Sequence, residues 1–124
     1  MTKRQAIHAF FSRFGKFYEV SAAPTGENAP AFPYGTYEGV SDSFNSVVPM
    51  AVQWWDRSPS WEAADAKAEE IAEAVSRGGV LVHCDRGAIW IMPASPFVRD
   101  MGDDSDAMLK VKQFNFQVEF ITNV

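Results

Sequence analysis

Residues 80–90, VLVHCDRGAIW, decide the fold, because two apolar runs are separated there by the short polar segment 85–87, DRG. Apolar and β-branched residues on both sides of a glycine-containing turn are typical of a β-hairpin. The second run continues to residue 92 and also favours a strand. We therefore predict antiparallel strands at about 79–84 and 88–92.

The same stretch raises an enzymatic alternative, because a strand that runs into His83-Cys84 is similar to the nucleophile loop of cysteine-dependent phosphatases. That chemistry needs a thiolate under a phosphate-binding loop and an arginine at the sixth position after the cysteine, where it grips two phosphate oxygens. The sixth position here is Trp90, and Arg86 lies too early. Adjacent strand residues also point to opposite faces, which separates His83 from Cys84. We predict no catalytic residue and no enzyme, and keep a Cys84-dependent phosphatase-like enzyme only as an alternative.

Length and composition predict a single domain spanning residues 1–124. The chain is 47% hydrophobic and 22% charged, so it can bury a core without disulfides or metals. Its one cysteine cannot form a disulfide within the chain. There is no apolar run of the ~20 residues that a membrane span needs, and no pattern of a signal peptide. We expect a soluble protein made in the cytoplasm, with no membrane contact and no cofactor.

The formal net charge of −5 is unevenly distributed. Residues 1–16 carry four basic residues and no acid, so a formal charge of −9 falls on the rest of the chain. One basic helix is a weak signal for a DNA-binding module, which usually presents a basic face across its whole domain. A mostly acidic surface suits a protein past which DNA must move without adhering, because like charges repel.

The N-terminal part is predicted to hold one helix and one irregular segment. Thr2 and Gln5 match a capping box, and apolar residues recur at helical spacing as far as Tyr18, which predicts a helix over residues 1–18. Three prolines and a glycine prevent regular structure over residues 21–33, which we interpret as a linker or as an arm onto a neighbouring subunit.

Strands surround a second helix in the rest of the chain. Strands are predicted at 34–40 and 47–56, and a helix runs from an N-cap at Ser58 to the glycine pair at 78–79. Its apolar stripe consists of Trp61, Ala64, Ala68, Ile71 and Val75. Residues 93–107 are predicted to be a polar loop.

The chain closes with a long amphipathic strand at about 109–122. Phe114, Phe116, Val118 and Phe120 alternate there with polar residues, which indicates an antiparallel strand with one buried face. The order of elements predicts an α+β fold, an antiparallel or mixed β-sheet with two main helices packed on one face.

Several segments in a fixed order resemble the tail terminator (tail-completion, or minor capsid) proteins of long-tailed bacteriophages. They are PYGTY at 33–37, VQWWDRSPSW at 52–61, AIWI at 88–91, PFV at 96–98 and FQVEF at 116–120. The resemblance covers most of residues 30–122. Gly35 departs from it, since a β-branched residue would suit a strand better.

The resemblance implies a structural virion protein at the head-proximal end of the tail. Such proteins form a hexameric ring that terminates the tail tube and joins it to the head connector, with DNA only passing through the channel. The implied partners are other copies of the chain, the tail tube protein, and the connector or neck protein. A neck or head-completion protein of the same virion is the closest alternative.

Two sets of residues are candidates for contacts in such a ring. Apolar residues in predicted loops or on a second sheet face are candidates for the subunit or partner interface, or else for ordinary packing within one chain. These are Phe44, Trp55, Phe97, Val98 and Met101.

The second set is acidic. Asp100, Asp103, Asp104 and Asp106 are candidates for lining the channel or for meeting a basic neighbour. Their spacing does not match a calcium-binding loop, which ends in a bidentate glutamate, so no metal site is predicted.

Overall fold

A computed structural model describes residues 1–26, 29–40, 47–103 and 105–122. Two helices and six strands make up its regular structure, apart from a 3-10 turn at Val20–Ala22. The helices are α1 (Lys3–Ser12) and α2 (Glu62–Val75), and the strands are β1 (Phe17–Glu19), β2 (Tyr34–Tyr37), β3 (Val47–Arg57), β4 (Val80–Cys84), β5 (Gly87–Asp103) and β6 (Asp106–Thr122).

The six strands form one mixed sheet in the order β1-β2-β3-β6-β5-β4. Of the five strand pairs in the described ranges, β1–β2 is parallel and the other four are antiparallel. The coarse prediction of an α+β fold with a mixed sheet is therefore confirmed. The predicted hairpin is present as well, with Cys84 opposite Gly87 across a two-residue turn.

Strand alternation places the core on one face of this sheet. Phe114, Phe116 and Val118 of β6 point to the same side and are fully buried. Side chains of β3 and β5 that lie beside them in register join the same cluster. Buried residues of both helices complete it, so α1 and α2 pack on the same face: Ala6, Ile7, Phe10, Phe11, Ala68, Ile71 and Val75.

Helix α1 is shorter than the predicted helix over residues 1–18. The capping box is present, because Thr2 Oγ1 accepts from the Gln5 N–H at 3.2 Å and Gln5 Oε1 accepts from the Thr2 N–H at 2.9 Å. The helix nevertheless ends at Ser12, and residues 17–19 form β1. Aromatic residues at 14, 17 and 18 satisfy a helical period and also suit a strand, and pairing with β2 decides between the two.

Helix α2 begins at Glu62 rather than after an N-cap at Ser58. The Ser58 N–H donates to the Met108 carbonyl at 2.8 Å, so this residue continues the pairing between β3 and β6. Trp61 occupies the N-cap position without a side-chain hydrogen bond. The predicted stripe is otherwise correct, since Ala64, Ala68, Ile71 and Val75 are buried.

The predicted loop over residues 93–107 is wrong, because β5 extends to Asp103 and β6 begins at Asp106. The register shifts between Pro93 and Val98, and the strand resumes beyond that irregularity. Among the described residues, β4 pairs with residues 87–91 of β5, so the prolines lie where β5 has no described strand on its other side. A proline is tolerated there because no ladder bond needs its missing N–H.

Gly35 lies under an aromatic ring, which explains why no side chain stands at this position of β2. Phe17 of β1 is its register partner, and a Cβ on Gly35 would overlap the Phe17 ring. A glycine inside a strand often marks a close approach of this kind. A β-branched residue would displace the Phe17 ring from the core.

We expect Gly35→Val to lower the free energy of unfolding by about 1–3 kcal/mol, the usual effect of overpacking. Gly78→Ala is the control, because a Cβ there meets nothing within 4 Å. Urea unfolding of both variants measures the effect. Equal stability of Gly35→Val and the unmodified chain would show that Phe17 does not pack on this glycine.

Candidate functional site

The sheet has a second face, turned away from both helices, which we call the outer face. On β3 and β6 the residues that alternate with the core side chains point to it, and strand register extends it across β5 and β4. No described α-helix packs on this side, because the buried residues of α1 and α2 belong to the core cluster. In the described part of the chain, the outer face is therefore the surface without a second layer.

Exposed apolar side chains are concentrated on the outer face. Leu81 is 50% exposed, Trp90 37% and Ile121 47%. Val47 and Met101 are exposed on the same face, so five of the nine exposed large apolar side chains among the described residues lie there. Patches of this kind often mark contact surfaces.

Charges are sparse on the same face. The charged residues described on this face across β3 to β6 include Arg57, Arg99 and Glu119. A row of amide side chains follows the centre of the sheet. The acidic residues of α2, by contrast, lie on the exposed side of that helix. Depletion of charge at the centre of a surface is a feature of protein interfaces.

Four aromatic residues cover one end of the outer face. The Tyr34 and Trp55 rings are stacked, with centroids 6.2 Å apart, and Phe32 contacts Tyr34 at 5.5 Å. Tyr18 meets Tyr34 edge-on at 6.5 Å. The Trp55 Nε1–H donates to Thr36 Oγ1 at 3.2 Å, and burial raises the pKa of the Tyr34 phenol. Trp55 is thus a half-buried residue of the outer face.

The other predicted interface residues are found in different environments. Phe97 packs against the core, with its ring 5.6 Å from Phe114 and 5.2 Å from Phe116, and Val98 is half-buried on the same side. Met101 is exposed on the outer face. Phe44 lies outside the described residues. Trp55 and Met101 therefore share the outer face, whereas Phe97 and Val98 contribute to packing within the chain.

The acidic candidates that are described form ion pairs within the chain. Asp100 accepts a hydrogen bond from Lys112, and Asp106 binds the Arg57 guanidinium, with the closest N···O distance 3.0 Å. The Asp103 side chain and the whole of Asp104 are not among the residues that the structure describes.

A buried lysine joins helix α2 to the sheet, and no sequence pattern indicated it. The Lys112 side chain is 6% exposed, and its Nζ lies 2.5 Å from carboxylate oxygens of both Asp65 and Asp100. The Trp61 ring lies 5.1 Å from the same ammonium. Burial alone lowers the pKa of Lys112, but hydrogen bonds and charges from Asp100 and Asp65 outweigh it and leave that pKa raised.

The hairpin at β4 and β5 separates the residues of the phosphatase-like stretch. Cys84 packs partly against the core, while His83 is exposed on the outer face. Trp90 donates its indole N–H to the Gly78 carbonyl at 2.9 Å. Within the described residues, no group of three or more His, Cys, Asp or Glu side chains could hold a metal ion.

Comparisons with known proteins assign no family to the chain. No protein-family model matches it, and no curated protein matches it significantly. A membrane-crossing helix is also lacking in the described ranges, where neither helix is long and apolar enough.

Strand alternation could have indicated more of the outer face. Leu81 lies between two core-facing valines, and Trp90 lies between two buried isoleucines, so both must point away from the core. Lys112 could not be found this way, because its buried position depends on residues 47 and 12 positions distant along the chain.

We expect Asp65→Asn combined with Asp100→Asn to lower the free energy of unfolding by about 2 kcal/mol, because the buried ammonium then lacks charged partners. Lys112→Met removes the charge and keeps an apolar side chain, so this variant should lose less free energy of unfolding than the double variant. Urea unfolding compares the two variants. A larger loss in Lys112→Met would contradict a dependence on this ion pair.

We also expect stability to fall at alkaline pH through Lys112. A raised pKa in the folded protein means that the stabilisation is full below the ordinary value of 10.5 and is lost as the pH rises through the folded value. Burial raises the pKa of Tyr34 and Tyr37, so their ionisation also lowers the stability of the fold as the pH rises. Lys112→Met isolates the lysine, and urea unfolding across this pH range should show a shallower loss for that variant. Equal slopes would contradict the assignment.

Proposed function

We propose that this chain is a structural virion protein that forms a ring, most simply of six copies, at the end of a phage tail tube. The ring stops growth of the tube and joins it to the head connector. The outer face is the observation that supports this proposal, because it is apolar, poor in charge and uncovered by any described helix. A surface of this kind is suited to contact with other protein chains.

The sheet that displays the outer face is well suited to a structural role. β6 is paired along almost its whole length on both sides, with β3 and with β5. Side chains on such a strand are held at fixed spacing, and the ion pairs of Lys112 bind helix α2 to the same strands. A rigid contact surface can fix the angle between neighbouring subunits, and a ring closes when that angle divides a full turn evenly.

The order of segments that resembles tail terminator proteins provides the identity of the assembly in this proposal. The net charge of −5 agrees with a channel that DNA crosses without adhering. The copies of the chain, the tail tube protein and the connector or neck protein are the proposed partners, and the head-proximal end of the tail is the proposed location.

Lysine substitutions on the outer face test the proposal. Ile121→Lys and Met101→Lys place a charge at exposed positions of this face, so we expect the melting temperature to stay unchanged and ring formation to weaken at least about tenfold. Ala66→Lys on the exposed side of α2 is the matched control. Mass photometry with and without tail tube protein measures assembly. Unchanged assembly of both outer-face variants would overturn the proposal.

Binding partners separate a tail terminator from a neck or head-completion protein. A tail terminator binds the end of purified tail tubes and stops their growth. A neck protein binds the connector without affecting tubes. Electron microscopy of tube length in the presence of the protein distinguishes the two, and tubes of unaltered length would favour the neck protein.

A further inference from the structure

A groove at one edge of the sheet is not explained by the proposed function. It lies between α1 and the edge strand β4 and has a volume of about 360 Å³. Ala6, Ala9 and Phe10 line its helix side, and residues 80–83 of β4 line its strand side, both those that face the core and those that face outward. The two alanines leave room there for apolar side chains from another segment.

The edge of β4 offers hydrogen-bonding groups to whatever enters this groove. The Asp85 N–H donates to the Met1 carbonyl at 2.7 Å, so this N–H points away from β5, toward the free edge of β4. Backbone groups alternate in direction along a strand, so the N–H groups of His83 and Leu81 point the same way. Neither has a described strand beside it, since β4 is the last strand of the sheet.

The opposite edge of the sheet presents exposed apolar residues. Val20, directly after β1, is 56% exposed, and Phe32, just before β2, is also exposed. These side chains and the described residues between them form what we call the arm edge. Nearly all described residues from 20 to 33 are exposed, so this segment adds little to its own core.

The two edges have opposite charge. From residue 17 to residue 56 the chain contains no lysine, arginine or histidine. Glu19 and Glu38 flank the arm edge, and Glu19 forms an ion pair with Arg4 of α1 at 2.6 Å, which leaves Glu38 as the more exposed carboxylate. The groove is lined by Arg13 and His83, and residues 1–16 contain no acid. Opposite charges favour contact between these edges and suppress contact between two like edges.

No described residue of the arm edge lines the groove of its own chain. β1 and β4 are separated by four strands in the order of the sheet, and both contact helix α1. Val20 follows β1 directly and so stays at that edge. A second copy can bring its arm edge to the groove without any rearrangement within either chain.

We propose that the groove between α1 and β4 receives the arm edge of a second copy, with Val20 and Phe32 as apolar anchors. The contact joins two different surfaces, so it is head-to-tail, the type that closes rings when the rotation between subunits allows it. The inference rests on the proposed function only in that neighbouring copies must meet in one assembly.

A photo-crosslinking residue at position 9 tests the contact directly. Ala9 is exposed and lines the groove, so the full chain should fold with this substitution. Irradiation in concentrated solution should produce a covalent dimer whose crosslink maps to residues 17–38 of the second copy. The same residue at position 66, on the exposed side of α2, is the control and should give none. Absence of the dimer, or a crosslink elsewhere, overturns the contact.

Charge exchange across the contact gives a second test. Val20→Lys and Arg13→Glu should each weaken self-association about tenfold. The double variant should restore it, because the introduced lysine of one copy then faces the introduced glutamate of the next. Sedimentation measures the association. Additive losses in the double variant overturn the pairing of these edges. Loss of tube capping with the crosslink intact would instead overturn the ring proposal alone, so the two failures are distinguishable.

Discussion

The alternation of side chains along β6 is the constraint on which the rest of the structure depends. Phe114, Phe116 and Val118 must be buried, and the residues between them must then face the opposite side. β3 and β5 pair with β6 on either side, so their side chains are divided in the same way between the core face and the outer face. A shift of one residue in the pairing of β6 with β3 or with β5 would turn Phe114 and Phe116, the aromatic row of β6, away from the core side chains of the neighbouring strand.

Both helices follow that division. They share a core cluster with the aromatic row, which leaves the outer face without a second layer in the described part of the chain. A protein of this size can stabilise itself with one covered face only when the other is tolerable in water or is covered by a partner. Amides at the centre of the outer face make it tolerable, and exposed apolar side chains at its ends favour a partner.

Period and turn chemistry predicted much of this fold from the sequence. The β4–β5 hairpin, β3, the apolar stripe of α2 and β6 were all indicated by local patterns. The failures share a physical cause, because each depends on a distant partner. β1 is a strand because Phe17 pairs with Gly35, and residues 98–103 belong to β5 because β6 pairs with them despite two prolines nearby. Of the proposed contact residues, Trp55 and Met101 lie on the outer face, and burial of Phe97 depended on packing that no short window contains.

The prolines of β5 have a consequence for how such a molecule avoids unwanted polymers. Beyond the end of β4, no described strand pairs with one side of β5, and an unpaired strand edge is a template for pairing with other chains. Pro93 and Pro96 remove two amide donors from that stretch, and the register with β6 shifts between Pro93 and Val98. An assembly with a fixed number of subunits needs such a block, because uncontrolled pairing of chains along an unpaired strand edge would compete with formation of a closed ring.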